Sequence, residues 1–183
     1  GAPQYHNTVA GIQNAINVGI NLSINTPLCI TNKEYVKTLS FLKEMGVMYV
    51  TCSGLIVTGN ACNDNSKNLQ LSGEELKDIL ADAVKFCNEN GMEISFTSPG
   101  WIDEEFFGTL GLSKPTCGAC LSNMAITPGG NVVPCQSHLS DAPLGNMLSD
   151  EWDVIWNGQK CVEHRDYSAT MTGLCPLRRN ANE

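Results

Sequence analysis

Residues 117 to 135 read CGACLSNMAITPGGNVVPC, and no other stretch so narrows what the chain can build around itself. Two residues separate Cys117 from Cys120, and fourteen more precede a third thiol, Cys135. Cysteine sulfur is a soft ligand for iron or zinc, and a Cys-x2-Cys pair lets one tight loop offer two side chains to the same centre. Met124, Ile126, Val132 and Val133 flank Pro128-Gly129-Gly130, the pattern of two short strands joined by a glycine-rich turn. Such a hairpin folds Cys135 back toward Cys120. Three thiols are then the nucleus of a metal site that needs a fourth ligand from elsewhere.

Two cysteines can complete the set. Cys175 is preferred, because Gly173 and Pro176 place it in a turn that can expose the thiol, whereas Cys161 follows a Trp-bearing helix, where simple burial is the blander reading. His138 is the one histidine near enough in sequence to compete with Cys175, although a histidine in such a place more often faces solvent; His6 and His164 add little. Arg165 and Arg178 could meet a carboxylate or a partner surface, yet ordinary exposed arginines need no such explanation. On spacing alone, structural zinc and an iron-sulfur cluster serve equally well.

Nine cysteines in 183 residues could instead form a disulfide framework. The odd count, the lack of a visible secretory leader and the clustering of thiols toward the C-terminal half favour reduced cysteines and metal. Cys29, Cys52, Cys62 and Cys87 are spaced irregularly and are expected as small apolar side chains, with Cys62, in a polar loop, the least secure. A net charge of -8 with no long Lys/Arg run argues against nucleic acid or an anionic membrane as partner. With no apolar run of about 18 residues, no transmembrane helix is expected and the cytoplasm is the default location.

Upstream of the thiols, the pattern alternates. A helix over 7 to 18 presents Val9, Ile12, Ala15 and Ile16 on one face and stops at Gly19; Ile20 to Asn25 then alternates as a strand. Thr31 and Glu34 are spaced as the capping box of a helix over 33 to 45, faced by Val36, Leu39, Leu42 and Met45 and closed by Gly46. A strand over 47 to 52 follows. Ser72 and Glu75 offer a second capping box, for a helix striped by Leu76, Ile79, Leu80, Ala83, Val84 and Cys87 that ends near Gly91, before a strand over 92 to 97.

Helix, strand, helix, strand, helix, strand is the grammar of a parallel sheet with helices laid over it. Three such strands are an incomplete object, so the expectation is an α/β fragment, the C-terminal part of a partial (β/α) barrel, followed by a small α+β domain with a β-hairpin. A small complete α/β domain is the alternative. Ser23, Asn25, Thr51, Ser53, Thr97 and Ser98 are expected at the carboxyl ends of the strands, where open sheets and barrels bind ligands. The loop from Ser53 to Gly59 could offer backbone groups to a small polar ligand, although it matches no phosphate-binding pattern. Trp101, Phe106 and Phe107 are expected to pack a connector over 98 to 115. Beyond the hairpin, 143 to 146 reads as a turn, and Leu148, Trp152, Ile155 and Trp156 as a short helix capped by Ser149. The last segment, with Cys161, Arg165 and Cys175, is poorly periodic.

Cys117-Gly-Ala-Cys120, nine residues, Gly130, four residues, Cys135, then Leu144-Gly145-Asn146, the Trp156 helix, Arg165 and Cys175, together resemble the SPASM or related twitch domain of radical S-adenosylmethionine enzymes. HNTVAG, INLSINTPLCITN and LKEMGVMYV likewise resemble the middle of the partial barrel of those enzymes. The resemblance implies radical SAM barrel over 1 to 105 and an auxiliary domain over 106 to 183. It implies an auxiliary [4Fe-4S] cluster on Cys117, Cys120 and Cys135, with Cys175 as fourth ligand. It also implies S-adenosylmethionine near Ser23 and Asn25, with its adenosyl part near Val57, Thr58 and Gly59.

The intact parent would act on a peptide, a protein or a small molecule such as a tetrapyrrole precursor, drawing on an electron donor. The Cys-x3-Cys-x2-Cys loop that defines these enzymes does not occur in the chain, and no second group of cysteines follows Cys175. One auxiliary cluster is therefore the most expected, no catalytic residue is assigned, and this stretch alone is expected to be inactive. The rival class is a non-catalytic α/β binding or scaffold protein with a structural zinc site.

Overall fold

The computed structural model describes residues 4–56, 61, 69–139, 141–171 and 175. These fall into two compact units. The first runs to Leu55 and adds Leu71–Thr97 and Ile102–Lys114; the second is built mainly from Ser98–Trp101 and the chain beyond Pro115.

The first unit alternates helix and strand, as the sequence pattern predicts. Its elements are α1 (Tyr5–Asn17), β1 (Ser23–Leu28), α2 (Tyr35–Glu44), β2 (Tyr49–Gly54), α3 (Gly73–Glu89), β3 (Glu93–Phe96) and a short α4 (Glu104–Thr109). The three strands form one parallel sheet in the order β1-β2-β3, with Ser23 opposite Tyr49 and Tyr49 opposite Glu93. The fold is α/β, a parallel three-stranded sheet followed by a mixed α+β region.

Alternation along the strands divides the sheet into two unlike faces. Val50, Cys52 and Phe96 turn inward and are buried, and Leu39, Leu42, Leu76, Leu80, Ala83, Val84 and Cys87 complete the core from α2 and α3. Cys52 and Cys87 are therefore the apolar core residues expected of them; burial first, and in Cys52 the neighbouring Cys87, pushes their thiols up to about 12 and about 11. On the opposite face stand Ser23, Asn25, Tyr49, Glu93 and Ser95, all exposed, with half-buried Thr51 donating its hydroxyl to Asn25 Oδ1 at 3.0 Å.

Several boundaries differ from expectation for local reasons. β1 begins at Ser23, not Ile20, because Gly19 and Ile20 complete the end of α1, their amides bonding to Ile16 and Ala15 carbonyls at 2.9 and 3.0 Å. Pro27 then lies within β1, tolerated because β1 is an edge strand. Thr31 caps nothing at the head of α2: a 3-10 turn, Ile30–Asn32, intervenes, in which Asn32 accepts the Cys29 amide at 2.7 Å. The connector forms α4, capped by the Asp103 carboxylate on the Phe106 amide at 3.0 Å, and Phe107 packs against Phe96 at 5.8 Å between ring centres. Ser72 and Glu75 do form the predicted box, the Glu75 amide donating to Ser72 Oγ at 3.2 Å and the Ser72 amide to Glu75 Oε2 at 2.9 Å.

Ser72→Ala removes one half of that box and should lower the unfolding free energy by about 1 kcal/mol in urea titrations. Lys33, hydrogen-bonded to Glu75, and after it the Ser72 amide and hydroxyl, hold the Glu75 carboxyl down to about 2. A depressed carboxyl stabilises the fold above its ordinary value near 4.5 and loses that contribution as pH falls through about 2. Between those limits the melting temperature should fall with pH, and Glu75→Gln should flatten part of the slope in calorimetric scans.

Candidate metal centre

The second unit is organised by the hairpin that carries Cys135. β4 (Ala125–Ile126) and β5 (Asn131–Val133) pair antiparallel, Ala125 opposite Val133, and β6 (Gly145–Asn146) adds to the other side of β5. Residues 143 to 146, expected as a turn, thus end in a strand. The Asn146 side chain explains this, since its amide donates to the Gly129 carbonyl and to Asn131 Oδ1, both at 2.9 Å, while its oxygen accepts the Leu148 amide at 2.8 Å. One side chain therefore closes the glycine turn from outside. Beside it, a Cβ added at Gly145 would fall 2.7 Å from Cγ1 of buried Ile155, so only glycine lets β6 lie flat here.

The Cys117–Cys120 loop is a tight knuckle. The Gly118 carbonyl accepts the amides of Leu121, Ser122 and Asn123 at 3.0, 2.9 and 3.0 Å. Cys120 closes it with φ of 56°, a left-handed conformation uncommon for a residue with a side chain. Its amide donates to the Asn123 carbonyl at 3.0 Å and to the Pro134 carbonyl at 3.2 Å. The second bond ties the knuckle to the residue just before Cys135, which is how the hairpin delivers its thiol.

Downstream, α5 (Trp152–Trp156) is the expected Trp helix, but Glu151 holds its N-cap position and the Ser149 hydroxyl donates to Asp150 instead. The segment read as irregular is a twelve-residue helix, α6 (Gln159–Thr170). Its polar sequence hid it from a search for apolar periodicity. The signal that could have found it is the spacing of Cys161, Arg165 and Ser168 at i, i+4 and i+7, which share one helical face.

The thiols are neighbours in a chain of pairs. Cys120 is hydrogen-bonded to Cys161 and lies within electrostatic reach of Cys135, as Cys135 does of Cys117. Burial first, then the Cys161 contact, pushes the Cys120 thiol up to about 12. Burial likewise raises Cys135, opposed by hydrogen bonds from the Ser137 amide and hydroxyl. Ser168 donates to the Ala119 carbonyl at 2.7 Å and reaches Cys117 Sγ at 3.4 Å. Cys175 is half-buried and has an interaction partner of its own.

The histidines and Arg165 are otherwise engaged. His138 is buried rather than solvent-facing, with Nδ1 2.6 Å from Asp141 Oδ2 and its ring edge-on to His164 at 5.5 Å. Burial, then proximity to His138, pushes His164 below the usual histidine range. Arg165 stacks over Trp156 at 4.1 Å, donates twice to its carbonyl at 3.3 Å and reaches Cys161 Sγ at 3.8 Å. Neither a carboxylate nor a partner surface is needed to place it; Arg178 lies outside the described residues.

Of the other sequence-derived positions, Ser23 opens β1 at its amino end, not its carboxyl end, and lines a recess of about 330 Å³ with Asn21, Tyr49, Thr51, Glu93 and Ser95. Asn25 sits mid-strand on the same open face. Val57, Thr58, Gly59 and Cys62 lie outside the described residues. No described helix is long and apolar enough to cross a membrane.

In donor chemistry the thiols fit a soft metal centre, three from the knuckle and hairpin with Cys161 against Cys120. Among the described residues, however, no three His, Cys, Asp or Glu side chains stand where they could hold one ion. Comparison with known families agrees with the donor chemistry. The SPASM family, an iron-sulfur cluster-binding domain, matches residues 117–177, so a SPASM-domain region is present there. No curated protein and no solved structure gives a match.

Gly145→Ala overpacks β6 against Ile155 and should cost about 1–3 kcal/mol of stability. Urea unfolding followed by Trp fluorescence is a suitable measurement, because Trp152 and Trp156 flank the site of strain. An unchanged midpoint would show that Ile155 yields freely.

Proposed function

We propose that the chain is the C-terminal portion of a radical S-adenosylmethionine enzyme, and that its SPASM region holds an auxiliary [4Fe-4S] cluster. The observation that carries the reading is the SPASM match over 117–177 falling on the segment where Cys117, Cys120 and Cys135 are neighbours. The α/β unit of parallel strands that precedes it supports the other half, with residues 1 to 105 as part of a partial barrel and 106 to 183 as the auxiliary domain.

When bound, the cluster would supply electron transfer or an anchor for substrate. The chain's own part is to present thiols from a rigid knuckle, to bury them and to direct donors at their sulfurs: Ser137 at Cys135 and Ser168 at Cys117. On the barrel side the family resemblance assigns Ser23 and Asn25 to S-adenosylmethionine, with Val57, Thr58 and Gly59 at its adenosyl part, although Ser23 stands at the amino end of β1 rather than the carboxyl end where such sheets bind ligands. The substrate class is a peptide, a protein or a small molecule such as a tetrapyrrole precursor. An electron donor is the expected partner and the cytoplasm the expected compartment.

Anaerobic reconstitution with ferrous iron and sulfide, followed by optical and EPR spectra, tests the cluster. The expected result is a broad thiolate-to-iron absorption and a reduced-state EPR signal, with acid-labile sulfide about equal to iron. Uptake of zinc alone, without sulfide, would sink the iron-sulfur reading in favour of a structural metal.

A further inference from the structure

Asparagine followed by glycine is a chemically labile pair, because no Cβ on the second residue hinders its amide nitrogen from reaching the asparagine side chain. The sequence holds two such pairs, Asn90-Gly91 and Asn157-Gly158. Both lie at helix ends, and the structure holds them very differently. Asn90 closes the seventeen-residue α3, five of whose residues are buried. Its amide donates to the Phe86 and Cys87 carbonyls, both at 3.1 Å, its side chain to the Phe86 carbonyl at 2.8 Å, and its own carbonyl accepts Lys43 Nζ at 2.7 Å. Just beyond Gly91, buried Met92 donates to the Cys87 carbonyl at 2.9 Å and Glu93 enters β3. The peptide bond between Asn90 and Gly91 is therefore fixed from both sides.

Asn157 is exposed and closes α5, a helix of five residues in which Ile155 is the buried one. Its side chain donates to the Asp153 carbonyl at 2.8 Å, and the Gly158 amide reaches the Ile155 carbonyl at 3.3 Å. Arg165 fixes the Trp156 carbonyl, which belongs to the peptide before Asn157 and not to the one after it. Glycine is also hard to replace at 158, since a Cβ there would sit 3.1 and 3.2 Å from the carbonyl oxygens of Val154 and Ile155. The close turn between α5 and α6 thus imposes the unhindered nitrogen that makes the pair reactive.

We propose that Asn157 is a site of spontaneous covalent modification, deamidation through a succinimide, from which the fold protects Asn90. The Gly158 backbone nitrogen, losing its proton, bonds to Asn157 Cγ; the Cγ–Nδ2 bond breaks and that nitrogen leaves as ammonia, taking up the proton. Water then adds to one of the two ring carbonyls and opens the ring to aspartate or isoaspartate, with no change of oxidation state. With ψ of 1° at Asn157 the ring closes only once the joint has turned, so the free energy of local opening sets the rate. At Asn157 opening gives up the bonds to Asp153 and Ile155 beside a short, exposed helix; at Asn90 it loosens the end of α3, the Lys43 contact and the entry to β3. Either product puts a carboxylate where an amide donated to the Asp153 carbonyl, just ahead of α6, and isoaspartate adds a methylene to the backbone there.

The test incubates the full chain at mildly alkaline pH and follows it by peptide mass mapping, with isoaspartate read by enzymatic methyl labelling. In the folded chain Asn157 should convert at least about ten times faster than Asn90. In concentrated guanidinium the protection is gone, and the two rates should agree within about a factor of three, since both asparagines precede glycine. Asn157→Gln should abolish the mass gain and the label in the peptide that carries residue 157, because the larger ring its side chain needs closes far more slowly. Equal rates in the folded chain, the mark of reaction through global unfolding, or a faster Asn90 overturn the proposal. A ratio that persists unchanged in guanidinium overturns the part given to the fold, and label that persists in that peptide of Asn157→Gln overturns the site.

Discussion

The amide of Cys120, donating to the Pro134 carbonyl, is the bond on which the second unit depends. It joins the knuckle to the far strand of the hairpin at the residue before Cys135, so two cysteines distant in sequence are brought toward one another. Cys120 reaches this position in a left-handed backbone conformation. Strain of that kind persists where surrounding bonds over-determine it, and here three amides on the Gly118 carbonyl do so. The hairpin is fixed in turn by Asn146, whose side chain bonds to both sides of the glycine turn.

The first unit obeys a different constraint. Its sheet is covered by α2 and α3 on one face, and the core is continuous from Leu39 through Leu80 to Cys87. The other face is a polar surface in which cross-strand neighbours such as Asn25 and Thr51 satisfy one another. Parallel sheets are usually buried on both sides, so the polar character of this face sets it apart from the core face.

Much of this was legible in the sequence where a local rule acted alone. Ser72 and Glu75 announced α3, Gly46 and Gly91 ended their helices, and the PGG turn with its valines announced the hairpin, since each signal is settled within a few residues. Thr31 and Glu34 had the spacing of a cap and failed, because Asn32 bonded to the Cys29 amide and made a separate turn first. Ser23 moved to the amino end of its strand because alternation cannot tell where a helix's last hydrogen bonds stop. At the centre, the knuckle and Cys135 could be read from spacing. Cys161 is a candidate by composition, but its helix and Ser168 are missed, because α6 presents polar groups inward and apolar periodicity does not register that face.

That inversion has a consequence for how the domain holds together. A twelve-residue helix in isolation is marginal in water, and α6 offers little oil to a core: its buried residues are Cys161 and Ser168. Its attachment is made instead by the Ser168 hydroxyl on the Ala119 carbonyl, by Arg165 over Trp156 and by the His164 ring against His138. The segment from Gln159 to Thr170 is therefore held by polar contacts rather than by a buried apolar stripe.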